Sequence, residues 1–404
     1  MMRNVFIIDG LRTPIGKRYK GLRDIPAVKL AAIVIKNLLE NNKLEGNFVD
    51  EVILGNAVGA GLGQNPARQA LIHAGLPYGV PGFTVNKACG SGLKSVILGA
   101  QAIACADANL ILAGGTENVS QCPSFYLGDK KNDILKEKNQ MALAIGSQTI
   151  ALRLKDSLIN DGLWCSFNDA HMVTIAEDTA ERFKISRKAQ DDYALESCRK
   201  ACEAQGKGLF RKEIVPVQTA ADCILDVDEK IKAISIDELS RMPPVVKLGG
   251  SITAGNSPAP ADGAAVLILA SEKALKKFKI VPRARILGYA SAAVDPKLTF
   301  TAAALAVKKC LKASSIKMSE VDLFEIGEAF AVQALLTIRE LELDIRRLNI
   351  FGGSIALGHP LGASGAIGLV TLLNALETKK KKVGISSVCL GGGCAVSLAI
   401  QLLN

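Results

Sequence analysis

Cys89 stands in Asn86-Lys87-Ala88-Cys89-Gly90-Ser91-Gly92, where an apolar run gives way to a helical pattern. A helix N-terminus favours negative charge and lowers the pKa of a thiol placed there. Tight strand-to-helix turns also present nucleophiles in hydrolases. Local context leaves two readings of Cys89 open: a reactive nucleophile, or the buried inert thiol that free Cys often is. His359, one of only three His, lies in Gly358-His359-Pro360-Leu361-Gly362-Ala363-Ser364-Gly365. Pro360 drives it toward an extended conformation. A His so placed can act as base for a thiol. Cys389 precedes Leu390-Gly391-Gly392-Gly393 at the end of another apolar run. The amides of a triple Gly approach a ligand without side-chain obstruction and can bind an oxyanion. Two Cys and one His in Gly-rich loops, without metal-ligand spacing, suit acyl transfer. A thiolate takes an acyl group from a thioester at little cost, because one thioester replaces another. The second Cys can serve as acid or base.

The flanking patterns predict the elements that hold these loops. Strands are expected at 4–9, 52–55, 83–86 and 110–113, the last ended by Gly114-Gly115. Helices are expected at 28–39, at 66–74 opened by Pro66, and at about 93–106. Strands alternating with helices indicate an α/β fold with a mostly parallel sheet covered on both faces. A duplication is visible. Residues 49–56 (VDEVILGN) echo 321–328 (VDLFEIGE). About forty residues on, each copy has a Gly/Ser-rich turn opening an apolar helix, Cys89–Gly92 in one and His359–Gly365 in the other. Each helix then leads to a strand and a Gly cluster. The stretch 121–250 is more polar. It reads as an insertion with helices near 175–183 and 190–203, the second capped by Ser186. Residues 251–270 return to the core pattern with a buried strand at 264–270.

Composition narrows the function. With 49% hydrophobic residues in 404, the chain can bury a sizeable core and is not disordered. The net charge of +10 calls for an anionic partner. The cations are scattered and aromatics make up only 4%, which disfavours nucleic acid and suits a phosphate-bearing small molecule. The basic run Lys379–Lys382 reads as a solvated turn between a helix and a strand. Ten Cys without a CxxC pair disfavour zinc, so no metal is expected. No Gly pattern here, 59–63 included, has the context of a dinucleotide fingerprint. Unpatterned Cys and an N-terminus without a secretory pattern suggest a reduced, cytoplasmic protein. The charge-poor stretches 348–376 and 383–404 are interrupted by Gly, Ser or Pro. They read as buried strand–turn segments rather than membrane spans.

The chain resembles the thiolase family, most closely its acetyl-CoA-specific, biosynthetic branch. The resemblance rests on Arg12-Thr13-Pro14-Ile15-Gly16, Gly63-Gln64-Asn65-Pro66-Ala67-Arg68-Gln69, the Cys89 segment, Gly114-Gly115-Thr116-Glu117-Asn118, Thr253-Ala254-Gly255-Asn256, Glu328-Ala329-Phe330-Ala331, the His359 segment and Cys389–Gly393. These span the whole length in the family's order. The resemblance implies a thiolase fold: two duplicated βαβαβαββ halves in a five-layered αβαβα core, with an inserted loop domain. The boundaries that follow are 1–120 plus 251–272 for the first half, 121–250 for the loop domain and 273–404 for the second half.

The resemblance also implies roles. Cys89 accepts the acyl group and His359 activates it. Cys389 moves the α-proton of the second acetyl-CoA. The amides of Cys89 and Gly391 form one oxyanion hole, and His359 with a water forms the other. His171 and Met172 border the pantetheine. Ala254, Ser257 and Phe330 fall at coenzyme A-lining positions, and Lys232 loosely matches a cation near the nucleotide. Coenzyme A is then a co-substrate, no cofactor is tightly bound, and a homotetramer is expected. Two departures stand out. Gly327 replaces the Asn whose amide usually holds the oxyanion-hole water, and Pro258 follows Ser257 where relatives tend to have a Ser. The expected activity is acetyl-CoA C-acetyltransferase. The alternatives are a longer-chain 3-ketoacyl-CoA thiolase and a catalytically weakened acyl-CoA-binding homologue. A ketoacyl-carrier-protein synthase is disfavoured because those relatives pair one Cys with two His.

Overall fold

The computed structural model describes residues 3–126, 154–219 and 223–403. The insertion expected at 121–250 therefore lies in part outside the described residues. The first repeat runs β1 (Val5–Arg12), α1 (Ala27–Asn41), β2 (Glu51–Gly55), α2 (Pro66–His73), β3 (Gly82–Val85), α3 (Ser91–Ala104) and β4 (Leu110–Asn118). The inserted segment carries α4 (Met172–Phe183) and α5 (Arg187–Gly206), after which β5 (Ala261–Ser271) returns to the sheet. The second repeat runs β6 (Ala284–Ala293), α6 (Ala302–Ser314), β7 (Leu323–Ile326), α7 (Ala331–Leu341), α8 (Ser364–Thr378), β8 (Val383–Leu390) and β9 (Cys394–Leu402). Pro66 opens α2, and the Ser186 hydroxyl caps α5 by accepting from the Ala189 amide at 3.2 Å.

The duplication is a duplication of topology. Strands pair in the order β3-β2-β4-β5-β1 in one half and β7-β8-β9-β6 in the other. A parallel bridge from Leu348 to Phe324 stands where β3 pairs with β2. The halves meet where β1 and β6 pair through Phe6–Arg285 and Ile7–Ala284. Side-chain alternation builds the layers. On β5, Ala264, Val266 and Ile268 pack with α1 and α2. Ala265, Leu267 and Leu269 pack on the other face with α3, α8 and strand residues Leu398 and Ile400 of the second half. Phe324, Ile385 and Ala399 pack with α6 and α7. The two halves of one continuous sheet thus enclose α3 and α8, and outer helices cover each. A helix in that middle layer must be apolar nearly all round, as α8 is from Gly365 to Leu376.

Three expectations are corrected. The sheet is mixed, with parallel pairs only at β2–β3, β2–β4 and β7–β8. The last two strands of the second half are joined by the three glycines alone, and so short a link forces them antiparallel. Gly114 and Gly115 do not end their strand but lie inside β4. A Cβ at Gly114 would strike the Ala265 carbonyl, and one at Gly115 the Gly362 carbonyl. These glycines let backbones close in rather than turn. The segment 348–376 is buried, but α8 makes up much of it, so it is helical rather than strand–turn. Lys379–Lys382 does form the turn between α8 and β8.

The insertion is tied to the core by a buried ion cluster. Arg12, wholly buried at the end of β1, meets Glu213 and Asp228, each at 2.7 Å. Among the described residues no helix is long and apolar enough to cross a membrane.

Candidate active site

Cys89 sits on a strained elbow between β3 and α3. Ala88 adopts φ +46°, a left-handed conformation costly for a residue with a Cβ. Local hydrogen bonds hold it there. The Ala88 amide donates to Asn86 Oδ1 at 2.9 Å, and the Lys87 amide donates to Ser91 Oγ at 2.8 Å. Asn86 in turn donates to the Ala57 carbonyl at 2.9 Å. Strain enforced by this many bonds is typical of a functional position.

His359 lies on the loop that opens α8. Its backbone bridges Pro260 and donates to the Ala259 carbonyl at 2.9 Å. Ser364 Oγ lies 2.7 Å from His359 Nδ1. A proton on Nδ1 satisfies this contact and leaves Nε2 as the free base. We assign this tautomer on the Ser364 contact. Burial lowers the His359 pKa to about 4, so the ring is neutral near pH 7.

Cys389 ends β8 and is buried. The glycines after it turn through φ +80° at Gly392 and +79° at Gly393. Nothing lies within 4 Å of where a Cβ of Gly391 would stand, so its backbone faces open space. Thr299 secures the turn by donating to the Leu390 carbonyl at 3.0 Å and accepting from the Gly393 amide at 3.1 Å.

Tertiary packing brings these three loops together. A Cβ on Gly92 of α3 would stand 2.8 Å from the Gly362 carbonyl, and one on Gly365 of α8 would stand 2.7 Å from Leu93 Cβ. The paired helices therefore cross at their N-termini with almost no side chain between them. Cys89 packs against a cluster containing Leu361, two residues beyond His359. The Cys89 and Cys389 thiols are near enough that a charge on Cys89 opposes ionisation of Cys389, adding to the larger effect of burial. The helix N-terminus does not lower the Cys89 pKa as expected. Burial, followed by the Glu117 carboxylate, pushes it up to about 12. Desolvation of the thiolate outweighs the helix terminus here.

The expected coenzyme A positions divide. Phe330 and Met172 pack in one cluster with Cys389, and Phe330 meets Phe300 edge-on at 5.4 Å. His171 caps α4 by accepting from the Val173 amide at 3.2 Å, and burial lowers its pKa. Ala254 is exposed, while Ser257 Oγ is buried without a partner. Lys232 is exposed, in the charge neighbourhood of Cys198 and Lys230 rather than of Cys389. Among the described residues no cluster of His, Cys, Asp and Glu could hold a metal.

Sequence reasoning missed two buried carboxylates that organise these loops. Glu117 accepts from Asn56 Nδ2 at 2.8 Å and from the amides of Ala57 at 2.9 Å and Gly362 at 2.8 Å. Glu328 accepts from Tyr193 Oη at 2.8 Å, Asn349 Nδ2 at 3.0 Å and the Ile355 amide at 2.9 Å. A charged residue inside a Gly-rich buried strand was the available signal for Glu117. Phe167 was missed as well. Exposed on the inserted hairpin, its ring stands 3.5 Å from where a Gly392 Cβ would be.

Comparison with known proteins agrees with this architecture. Residues 5–273 match the family described as Thiolase, N-terminal domain, and residues 280–402 match Thiolase, C-terminal domain. An acetyl-CoA acetyltransferase of Pseudomonas aeruginosa is 43% identical over 404 residues, covering 99% of each chain. A probable acetyl-CoA acyltransferase of Staphylococcus epidermidis is 41% identical over 405 residues, again covering 99% of each. The solved structure of human mitochondrial 3-ketoacyl-CoA thiolase superposes with a TM-score of 0.92 at 34% identity, covering 100% of this chain and 99% of that one. The chain belongs to the thiolase family and is an acyltransferase.

Proposed function

We propose that this protein is an acetyl-CoA C-acetyltransferase, which condenses two acetyl-CoA to acetoacetyl-CoA and CoA reversibly through an acyl-Cys89 intermediate. The meeting of the loops that carry Cys89, His359 and Cys389 between the two halves carries the reading. The resting site is a neutral thiol beside a neutral imidazole. His359 takes the Cys89 proton as sulfur attacks the first acetyl-CoA, and the thioester passes to Cys89. The departing CoA thiolate takes the Cys389 proton and leaves Cys389 as a thiolate. Burial makes that thiolate strongly basic, so it removes the α-proton of the second acetyl-CoA. The resulting carbanion, stabilised by the His359 imidazolium, attacks the acyl-Cys89 carbonyl. The oxyanion of that adduct accepts from the Cys89 and Gly391 amides. Collapse releases acetoacetyl-CoA, and His359 returns the proton to Cys89.

Met172 and Phe330 beside Cys389 support a pantetheine path, with Ala254, Ser257 and His171 along it and Lys232 towards the nucleotide phosphates. The resemblance to the acetyl-specific branch supports a homotetramer, which sedimentation would test, and the unpatterned Cys support a cytoplasmic location. The direct assay is thiolysis of acetoacetyl-CoA beside a long-chain 3-ketoacyl-CoA, with Cys89→Ala as control. Turnover confined to the short substrate supports the proposal. Preference for the long one moves the protein to longer-chain thiolysis. Binding without turnover of either indicates the weakened homologue that Gly327 suggests.

A further inference from the structure

Behind the His359 loop lies a small, partly open cavity of about 30 Å³, between β7, β8 and the first turns of α8. Glu325, Ser386, Ser364, Thr371, Gly327 and Gly368 are among its walls. A cavity of about 10–15 Å³ suffices for one water when polar groups line it, so this one has room for one or two. Two of its polar groups, on Ser386 and Glu325, have no hydrogen-bond partner among the described residues. Ser386 Oγ is buried with no hydrogen bond, and Ser386 is only 1% exposed. The Glu325 side chain is buried, and no described residue donates to its carboxyl. Gly368 keeps the space open: a Cβ there would stand 3.3 Å from Glu325 Cγ and 3.7 Å from Ser386 Oγ.

The other end of the cavity touches the catalytic base. Ser364, 2.7 Å from His359 Nδ1, is one of its walls. Ser364 Oγ also lies 2.9 Å from the Pro360 carbonyl, but that oxygen already accepts from the amides of Ala363 at 2.9 Å and Ser364 at 2.8 Å. Ser364 Oγ donates to that crowded carbonyl and reaches the cavity when its hydroxyl rotates away from it. We propose that cavity water completes a hydrogen-bond chain from His359 Nδ1–H through Ser364 Oγ to the Ser386 hydroxyl and the Glu325 carboxyl, and that Glu325 and Ser386 are positioning residues for His359. Every donor along it points away from the ring. Such chains strengthen cooperatively as charge develops at their head. Among the described residues His359 has no carboxylate partner of its own, so this chain is what stabilises a buried imidazolium. Burial, with Glu328 and Glu213 nearby and only Lys200 opposing them, favours the neutral form of Glu325. A neutral carboxyl still offers the carbonyl acceptor that ends the chain.

This inference rests on the proposed role of His359 as base. The test uses the full-length enzyme and Glu325→Gln, Glu325→Leu, Ser386→Ala and His359→Ala, with acetoacetyl-CoA thiolysis followed against pH. Glu325→Leu should lower kcat about tenfold, the effect of one lost hydrogen bond, with KM unchanged. The acid limb of kcat should move to lower pH, because the imidazolium is less stable. Glu325→Gln keeps the acceptor and should restore most of kcat. Ser386→Ala, too small a change to threaten folding, should fall between. The proposal is overturned if Glu325→Leu or Ser386→Ala keeps the wild-type kcat and acid limb. It is also overturned if Glu325→Gln is as impaired as Glu325→Leu. If His359→Ala still acylates Cys89 at the wild-type rate, the role of His359 as base fails, and this chain with it.

Discussion

Glu117 and Gly362 stand 245 residues apart in sequence, yet the Glu117 carboxylate accepts the Gly362 amide hydrogen at 2.8 Å. The same carboxylate holds Asn56 and Ala57 of the first half. One buried side chain thus fixes the His359 loop against the half that carries Cys89. Replacing Glu117 with Ala would leave these buried donors without an acceptor. We expect a loss of about 3 kcal/mol or more in unfolding free energy, read by urea denaturation. Turnover should fall even where the variant remains folded, because the His359 loop and the half that carries Cys89 lose their common anchor.

Two buried groups give the stability opposing pH slopes. His359 titrates at about 4 when folded against an ordinary 6.5. The unfolded chain takes up that proton first, so this contribution is complete above pH 6.5 and is lost as pH falls toward 4. Glu117 is raised from 4.5 to about 7, chiefly by burial. Its contribution is complete below pH 4.5 and is lost as pH rises through 7. Thermal unfolding across pH 4–8 should show His359→Asn declining less in acid than the wild type. Wild-type acid sensitivity in that variant would refute the assignment.

Cys89 should be slow to react with iodoacetamide at pH 7 without substrate, because burial holds it as a thiol. The exposed Cys105 and Cys223 should be labelled first. Acetyl-CoA should reverse the order, acylating Cys89 alone, because His359 accepts the proton during attack. Peptide mass mapping distinguishes the two patterns.

Gly327→Asn should be tolerated by the fold. A Cβ at this position meets Val388 at 3.4 and 3.5 Å, ordinary contact distances. If the chain works below capacity for want of an amide there, the substitution should raise condensation about tenfold or more with little change in Tm. Unchanged turnover would show that Gly327 costs nothing.

The sequence by itself determined much of this protein. Apolar periodicity placed most helices and strands to within a few residues, because alternation and helical spacing record which faces are buried. The echo between residues 49–56 and 321–328 disclosed the duplication. Cys89, His359 and Cys389 stood out as candidates because each is a reactive side chain in a Gly-rich loop. Only the tertiary structure decided which strands run antiparallel, that Gly114 and Gly115 lie within a strand, and that the Cys89 thiol is raised rather than lowered. Each depends on what approaches from a distant part of the chain: β5 and β6 on either side of β1, the Gly362 carbonyl, an apolar enclosure with Glu117 beside it. Local propensity carries no record of such neighbours. Burial and backbone contact between the two halves set the electrostatics of the site.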